Sequence, residues 1–180
     1  MSIARLRDLA HYICWKCDDP AKLGSTKLNK VLWLSDLLSY RLRGRAITGA
    51  EYTKRQFGPV PRMIMIARSE LVSSGKIFER QDQIAGFQGV HFIALEKPDL
   101  SDFLQEEIEI VDSVISEICE NHTATSISHF SHDLIWRAAK MGEVIPQFAW
   151  LASTPGELGE EDYNWADSVI DRIEGRATLS

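Results

Sequence analysis

A run of apolar residues between Leu28 and Leu42 constrains the fold of this chain more than any other feature. On a helix these side chains cover more than half of the circumference, whereas a surface helix has a single apolar stripe. Such a helix is packed on several sides, so the sequence predicts a central core helix with the other elements arranged around it. Ser25 or Thr26 can cap its first turn, and Gly44 suits the left-handed residue that follows its last turn.

Further helices are predicted where apolar residues recur every three or four positions. The clearest lies within 104–118, with acidic residues on the opposite face. Its apolar stripe consists of Leu104, Ile108, Val111, Ile115 and Ile118. The remaining predicted helices cover residues 3–16, the segment that Pro61 opens and Gly75 ends, one or two short helices in 125–140, and an acidic helix at 160–174.

Two segments of strand-like composition, 76–82 and 90–95, flank a connection that contains glycine, and they predict an antiparallel hairpin. A short strand is expected at 51–55, within a structured loop, and a short extended segment at 144–151. The predicted fold class is therefore α+β: a predominantly helical single domain with a small antiparallel hairpin. The order of elements in the N-terminal half resembles a winged helix.

The length of 180 residues suits one domain with an appended helix. We expect the domain to span residues 1–152, and residues 153–180 to form a loop and an acidic helix that packs on the domain or extends it. No segment reaches the roughly 18 consecutive apolar residues of a membrane helix. The three cysteines are an odd number in a chain large enough to fold without disulfides, so we predict a cytoplasmic protein with no membrane partner.

The charge is distributed unevenly along the chain, although the net charge is only −6. Residues 1–80 contain 15 Lys and Arg against 7 Asp and Glu, whereas residues 81–180 contain 5 against 19. This asymmetry has two interpretations: the basic half contacts nucleic acid, or the two halves attract each other within the fold. The acidic total repels nucleic acid at long range and suits a partner with a basic surface.

The cysteine spacing offers one candidate chemical site. Cys14 and Cys17 form a C-x-x-C pair, to which Cys119 and His122 could add two further zinc ligands. A redox motif of this kind normally follows a strand in a βαβ unit, whereas Cys14 falls in a helical pattern. Burial of these cysteines as small hydrophobic side chains is therefore the favoured interpretation.

A second candidate is the histidine pair His129 and His132, with His122 or Glu143 as a third metal ligand. The spacing matches no specific metal motif, so surface or capping roles are favoured. The chain also lacks the G-x-S-x-G elbow of serine hydrolases and a phosphate-binding glycine loop. We predict that the protein is not an enzyme and needs no metal or cofactor; an enzyme that uses these histidines or the cysteine pair is a distant alternative.

A DNA-binding regulator is the main alternative to a protein-binding function. In a winged-helix arrangement the third helix, with Arg62 and Arg68, would enter the groove, and the hairpin would contribute Lys76 and Arg80. The same helix also carries a run of four apolar residues at 63–66, which suits burial or a protein contact better than a phosphate surface.

Two blocks of the sequence carry a family resemblance. The first contains Leu28, Lys30-Val31-Leu32-Trp33, Asp36, Ile47-Thr48-Gly49, Tyr52 and Phe57-Gly58-Pro59-Val60-Pro61. The second contains Ile127-Ser128, Ser131-His132, Trp136, Ala139 and Gly142-Glu143-Val144-Ile145-Pro146. Over roughly residues 5–150 these blocks resemble the signature of the Panacea domain, the SocA-like antitoxin family, although Trp33 stands where that family commonly has Tyr.

The resemblance implies an antitoxin of a toxin–antitoxin system, which neutralises a cognate toxin by direct binding. The toxins paired with such domains are unrelated to one another in fold and target, and one branch of the family acts as a proteolytic adaptor. A protease or chaperone is therefore a further possible partner. Such proteins often come from bacteria, phages and mobile elements.

The loop that precedes the third helix offers the first candidates for partner contact, because aromatic and Arg side chains on a rigid loop make effective anchors. The alternative is that this loop packs onto the second helix and only shapes the fold, with an obvious backbone role for its Gly-Pro pair. The candidate partner-binding residues are Tyr52, Arg55, Phe57, Pro59 and Val60.

Overall fold

The computed structural model describes residues 3–17, 19–84, 87–132 and 134–152. The predicted segment 153–180, with its acidic helix at 160–174, lies outside these described residues. Among the elements that are described, six α-helices and five strands follow the order ααββαββαααβ, with a π-helical turn after the fourth helix and a 3₁₀ helix at the end.

The second helix, α2 (Ser25–Arg43), is the core of the molecule, as its apolar sequence predicts. It contacts the first helix, α1 (Ile3–Lys16), and also the fourth helix and the strands described below. Its N-cap is Gly24 and not the predicted Ser25 or Thr26, and Gly24 makes no side-chain cap. Its C-terminal end matches the prediction, because Gly44 adopts the left-handed conformation with φ 70°.

A three-stranded antiparallel sheet lies against α2. Its central strand β1 (Tyr52–Arg55) pairs with β2 (Gly58–Pro61) on one side and with β5 (Val144–Ile145) on the other. The prediction that Pro61 opens the third helix is wrong. Pro61 instead pairs with Tyr52 at the end of β2, an edge strand where a residue without an N–H is tolerated.

The third helix, α3 (Ile64–Ser73), begins three residues later and packs its buried side against α1. It leads into the second sheet, an antiparallel hairpin of β3 (Ile77–Ile84) and β4 (Phe87–Ala94). The hairpin is present as predicted. Its strands reach Ile84 and Phe87 at the turn, beyond the predicted ends at residues 82 and 90.

The fourth helix, α4 (Gln105–Ser116), continues into a π-helical turn at Glu117–Asn121. Its buried stripe is rotated from the predicted one: Leu104 is exposed, while Glu107 is only 3% exposed. The burial of this carboxylate is explained by its partners. Arg5 contacts Glu107 at 2.8 Å and Arg43 contacts it at 3.4 Å, so its charge is compensated from two directions.

The remaining elements are two short helices, α5 (Ala124–Phe130) and α6 (Leu134–Ala138), and the 3₁₀ helix Gln147–Ala152. Together the elements form an α+β architecture that is mostly helical with small antiparallel sheets, as the sequence predicts. Among the described helices, none combines the length and the hydrophobicity that crossing a bilayer requires.

The basic and the acidic half of the sequence meet in ion pairs within the fold. Arg5 and Arg43, from the basic half, meet Glu107 of α4, and Lys16 contacts Asp112 of the same helix at 2.9 Å. The acidic α4 therefore lies against basic side chains of α1 and α2. This arrangement supports the interpretation that the two halves attract each other.

Candidate protein-binding site

A buried carboxylate on α2 fixes the chain that leads into β1. Asp36 is fully buried, and both of its carboxylate oxygens accept hydrogen bonds. The Thr48 backbone N–H donates at 2.8 Å, the Thr48 hydroxyl donates to the second oxygen, and the Tyr52 hydroxyl donates to that same oxygen at 2.8 Å. Burial raises the pKa of Asp36 to about 6, while these donors act in the opposite direction.

Aromatic rings complete the anchorage of β1. Tyr52 packs edge-on against Trp33 of α2, with ring centroids 4.9 Å apart, and against Trp150 at 5.6 Å. Trp150 also contacts Trp33 at 5.0 Å and Tyr40 at 5.7 Å. Trp150 is 1% exposed and belongs to the 3₁₀ helix, so this helix covers the part of the core that lies beside β1. These edge-to-face contacts add to the stabilisation from burial.

A buried lysine on α2 holds the tip of the β1–β2 hairpin. Lys30 is only 1% exposed, and its ammonium group donates a hydrogen bond to the Phe57 carbonyl oxygen. Within the described part of the chain, no carboxylate lies within 4.0 Å of this group to form an ion pair. Burial lowers the pKa of Lys30 to about 7.

Gly58 makes room for this lysine. Its backbone φ angle is 111°, a value that residues with a side chain rarely adopt. A Cβ atom at Gly58 would overlap the Lys30 ammonium group and would lie 2.5 Å from the Ser131 hydroxyl oxygen. The glycine is therefore required both by the backbone conformation and by the close approach of Lys30.

A tryptophan holds the other side of the same turn. The Trp136 indole N–H donates to the Arg55 carbonyl oxygen at 3.1 Å. Its ring stacks on His132, with centroids 3.6 Å apart and planes 8° apart, while the Lys54 ammonium lies 4.1 Å from the ring centroid. Burial and the nearby charge of Lys30 lower the pKa of His132, which favours the neutral imidazole in this stack.

These contacts present a short rigid segment to solvent, which we call the hairpin tip: Arg55, Gln56 and Phe57. All three residues are exposed, and the Phe57 side chain is 57% exposed. The carbonyl oxygens on both sides of Gln56 are held from within the protein, by Trp136 and Lys30. The tip thus displays an aromatic ring and a guanidinium group on a preorganised turn.

The five predicted partner-binding residues all lie on this hairpin, but in different environments. Arg55 and Phe57 are exposed at the tip, and Val60 is half-buried. Tyr52 and Pro59 are buried, so in this structure they have no surface to offer a partner. For Tyr52 and Pro59 this burial fits the alternative interpretation, a role in shaping the fold. Contact with a partner stays a prediction for all five residues.

Lys30 and Asp36, the two α2 residues that hold the hairpin, are not among the predicted site residues. A signal was available, because both charged residues lie inside a segment that is otherwise apolar on most of its surface. Charged residues in such a position are unfavourable unless a specific partner compensates them. Trp136, from the second block of the family resemblance, is half-buried and holds the tip through its indole N–H.

The candidate metal ligands do not converge in the structure. Across the described residues, no group of three or more His, Cys, Asp or Glu side chains is arranged to hold a metal ion. His132 is stacked on Trp136, and Glu143 accepts a hydrogen bond from the backbone N–H of Lys140 at 2.6 Å. His122 contacts Glu117 at 3.4 Å, near the π-helical turn.

The surface of α3 is apolar and not cationic. Met65, Ile66 and Val72 are exposed on it, at 65%, 48% and 42%. Arg68, which the winged-helix interpretation assigned to a groove, is 8% exposed and contacts Glu79 at 2.8 Å, while Arg62 contacts Glu51 at 3.1 Å. These two arginines already have intramolecular partners, so the structure adds no support for DNA binding.

The sequence of this chain matches a known family of proteins. The chain matches the family described as antitoxin SocA-like, Panacea domain, over residues 28–137, which is more than half of its length. The protein is therefore a member of this antitoxin family. The match covers both strands of the tip hairpin, Lys30, Asp36 and Trp136. A comparison with curated proteins gives no match, and neither does a comparison with solved structures.

We expect Gly58→Ala to destabilise the protein more than Gly49→Ala does. Both glycines have positive φ, but a Cβ at Gly49, with φ 65°, would meet no atom within 4 Å. Gly49→Ala should therefore cost only the left-handed penalty of roughly 1–2 kcal/mol. The φ of 111° at Gly58, and the displacement of the Lys30 ammonium from its hydrogen bond to Phe57, should make Gly58→Ala costlier by about 1–3 kcal/mol in urea denaturation. Equal costs would contradict the close approach of Lys30.

We also expect Lys30 to make stability depend on pH. The unfolded chain keeps the lysine proton up to about pH 10.4. The folded chain releases it near the pKa of about 7 for buried Lys30. Between these values the unfolded state binds more protons, so the free energy of unfolding rises with pH, by at most about 1.4 kcal/mol per pH unit.

The control is Lys30→Met, which keeps the aliphatic stem and removes the titrating group. Urea denaturation at several values between pH 7 and 8.5 should give a smaller pH slope for this variant than for the wild type. Thiols and tyrosines contribute equally to both proteins and cancel in the difference. Identical slopes would show that the Lys30 amine keeps an ordinary pKa.

Proposed function

We propose that this protein is an antitoxin that neutralises a cognate toxin by direct protein–protein binding, with the hairpin tip as the centre of the contact. The observation that carries this proposal is the preorganised, exposed pair Arg55 and Phe57, on a chain that belongs to an antitoxin family. Aromatic and arginine side chains dominate binding energy when a rigid scaffold presents them, because little conformational entropy is lost on association.

Exposed residues beside the tip extend this surface. Gly142 donates its N–H to the Lys54 carbonyl oxygen at 2.9 Å, which holds the 140–143 turn against β1. Met141 in that turn is 63% exposed and adds a flexible apolar side chain. The Lys54 ammonium donates to the Ala139 carbonyl oxygen at 2.9 Å, so the residues after α6 lie beside the same strand.

The charge of this region indicates the surface that the toxin should present. Arg55, Arg137 and Lys140 are exposed on the hairpin tip and on the neighbouring segment. Local charge decides complementarity at an interface more than the net charge of −6 does. The proposed toxin surface is therefore an apolar pocket for Phe57 with acidic residues at its rim.

Binding can neutralise a toxin by masking it or by delivering it to a protease, and the family resemblance makes both outcomes relevant. The two mechanisms differ in what happens to the amount of toxin. Masking leaves the toxin level unchanged in a stable complex, whereas delivery lowers the toxin level in a protease-dependent way. Immunoblotting of the toxin during co-expression distinguishes them.

The test is co-expression with the gene encoded beside this one. The neighbouring product alone should arrest growth, and this protein should restore growth and elute together with it. A harmless neighbour and the absence of a complex would remove the main support for the antitoxin proposal.

Two phenylalanines offer a matched pair for locating the contact. Phe57 at the tip is 57% exposed, and Phe78 on β3, in the other sheet, is 52% exposed. We expect Phe57→Ala to weaken toxin binding by at least about 2 kcal/mol, roughly 30-fold in Kd, and Phe78→Ala to change it less than about threefold. Both variants should stay within about 0.5 kcal/mol of wild-type stability, because neither side chain belongs to the core.

Isothermal titration calorimetry with the purified toxin gives the affinities, and urea denaturation gives the stabilities. Arg55→Glu adds a test of the charge, since it should reduce the association rate most strongly at low salt. If Phe78→Ala abolishes binding and Phe57→Ala does not, the toxin contacts the other hairpin and not the tip.

A further inference from the structure

Two cysteines that lie 102 residues apart in the sequence meet inside the fold. Cys17 directly follows α1, and Cys119 lies in the π-helical turn after α4. Their sulfur atoms are 3.0 Å apart, and neither forms a disulfide. A disulfide bond is about 2.05 Å long, so an approach of roughly 1 Å would bring the two sulfurs to bonding distance.

The surroundings of the two thiols are unequal. The Cys17 thiol donates a hydrogen bond to the Cys119 sulfur, which lowers the pKa of Cys119 and raises the pKa of Cys17. Lys27 and Lys22 also lower the pKa of Cys119 through their positive charge, and the Lys27 ammonium lies 3.5 Å from the Cys119 carbonyl oxygen. Cys119 is therefore the thiol that ionises first, with a protonated thiol beside it.

The third cysteine does not share this environment. Cys14 lies one turn earlier on α1, is 2% exposed and is close to the ion pair between Arg68 and Glu79. Burial raises the pKa of Cys14 to about 12, so it remains a thiol. Cys17 and Cys119 retain slight exposure, at 7% and 8%, which leaves access for a small molecule only.

We propose that Cys17 and Cys119 form a site of reversible covalent modification, at which hydrogen peroxide joins them as an intramolecular disulfide. The Cys119 thiolate attacks a peroxide oxygen, the O–O bond breaks, and the hydroxide that leaves takes up a proton to become water. The resulting sulfenic acid on Cys119 is attacked by Cys17, whose proton leaves with the displaced oxygen as a second water. The two sulfurs are oxidised by two electrons in total, and the peroxide is reduced.

This bond would link covalently two segments that the fold joins only through noncovalent contacts, among them the Lys16–Asp112 ion pair. It would link the end of α1 to the turn from which the chain continues into α5. The cross-link would close a loop of about 100 residues, and a constraint of that length removes much of the conformational freedom of the unfolded chain. The oxidised protein is consequently more resistant to unfolding than the reduced protein, and a thiol reductant reverses the effect.

The experiment treats the full chain with hydrogen peroxide and follows three readouts. The intact mass should fall by two hydrogen atoms, and the number of free thiols should fall from three to one. Peptide mapping under non-reducing conditions should find the residues around Cys17 linked to those around Cys119. The melting temperature should rise by an amount on the order of 10 °C, and dithiothreitol should restore the original value.

Cys14→Ala is the matched control, because it removes the neighbouring thiol and should leave the cross-link and the rise in melting temperature intact. Cys119→Ala should abolish both. Should either variant fail to fold, peptide mapping of the wild type decides alone. A bond between Cys14 and Cys17, a bond between two chains, or oxidation of Cys119 to sulfinic acid without a cross-link would each overturn the proposal.

Discussion

The hydrogen bonds that the Asp36 carboxylate accepts from Thr48 and Tyr52 are the contact on which the rest of the site depends. They attach the chain that leaves α2 back onto the same helix and thereby fix where β1 begins. The strand then places Tyr52 against Trp33, and Trp150 covers both rings. A carboxylate is costly to bury, but here its charge is offset by donors that also determine the path of the chain.

The central helix contributes two buried charges that act independently. Asp36 holds the start of β1 through Tyr52, whereas Lys30 holds the tip of the hairpin through the Phe57 carbonyl oxygen. The two residues are six positions apart on α2, which places them on different faces, so they do not neutralise each other. One helix therefore fixes the start of β1 and the tip of the hairpin, and makes the hairpin a rigid extension of the core.

The apolar patterns of the sequence predicted most of the helices, because hydrophobic periodicity directly reflects which face is buried. They failed where a tertiary contact overrides the pattern. Glu107 is buried since Arg5 and Arg43 reach it from distant parts of the chain, and Pro61 ends a strand since β1 is available to pair with it. The family motif drew attention to the loop at 47–61, but only the structure shows that it forms a hairpin and separates exposed Phe57 from the buried residues beside it.

Trp136 and Lys30 hold the hairpin tip through hydrogen bonds to main-chain oxygens, those of Arg55 and Phe57, and not through contacts with side chains. The conformation of the turn is therefore largely independent of which side chains occupy positions 55–57. Such a scaffold separates the evolution of specificity from the maintenance of the fold, much as an antibody framework supports exchangeable loops. Under the proposed function, one domain could in this way be redirected to partners of unrelated structure by substitutions at three surface positions.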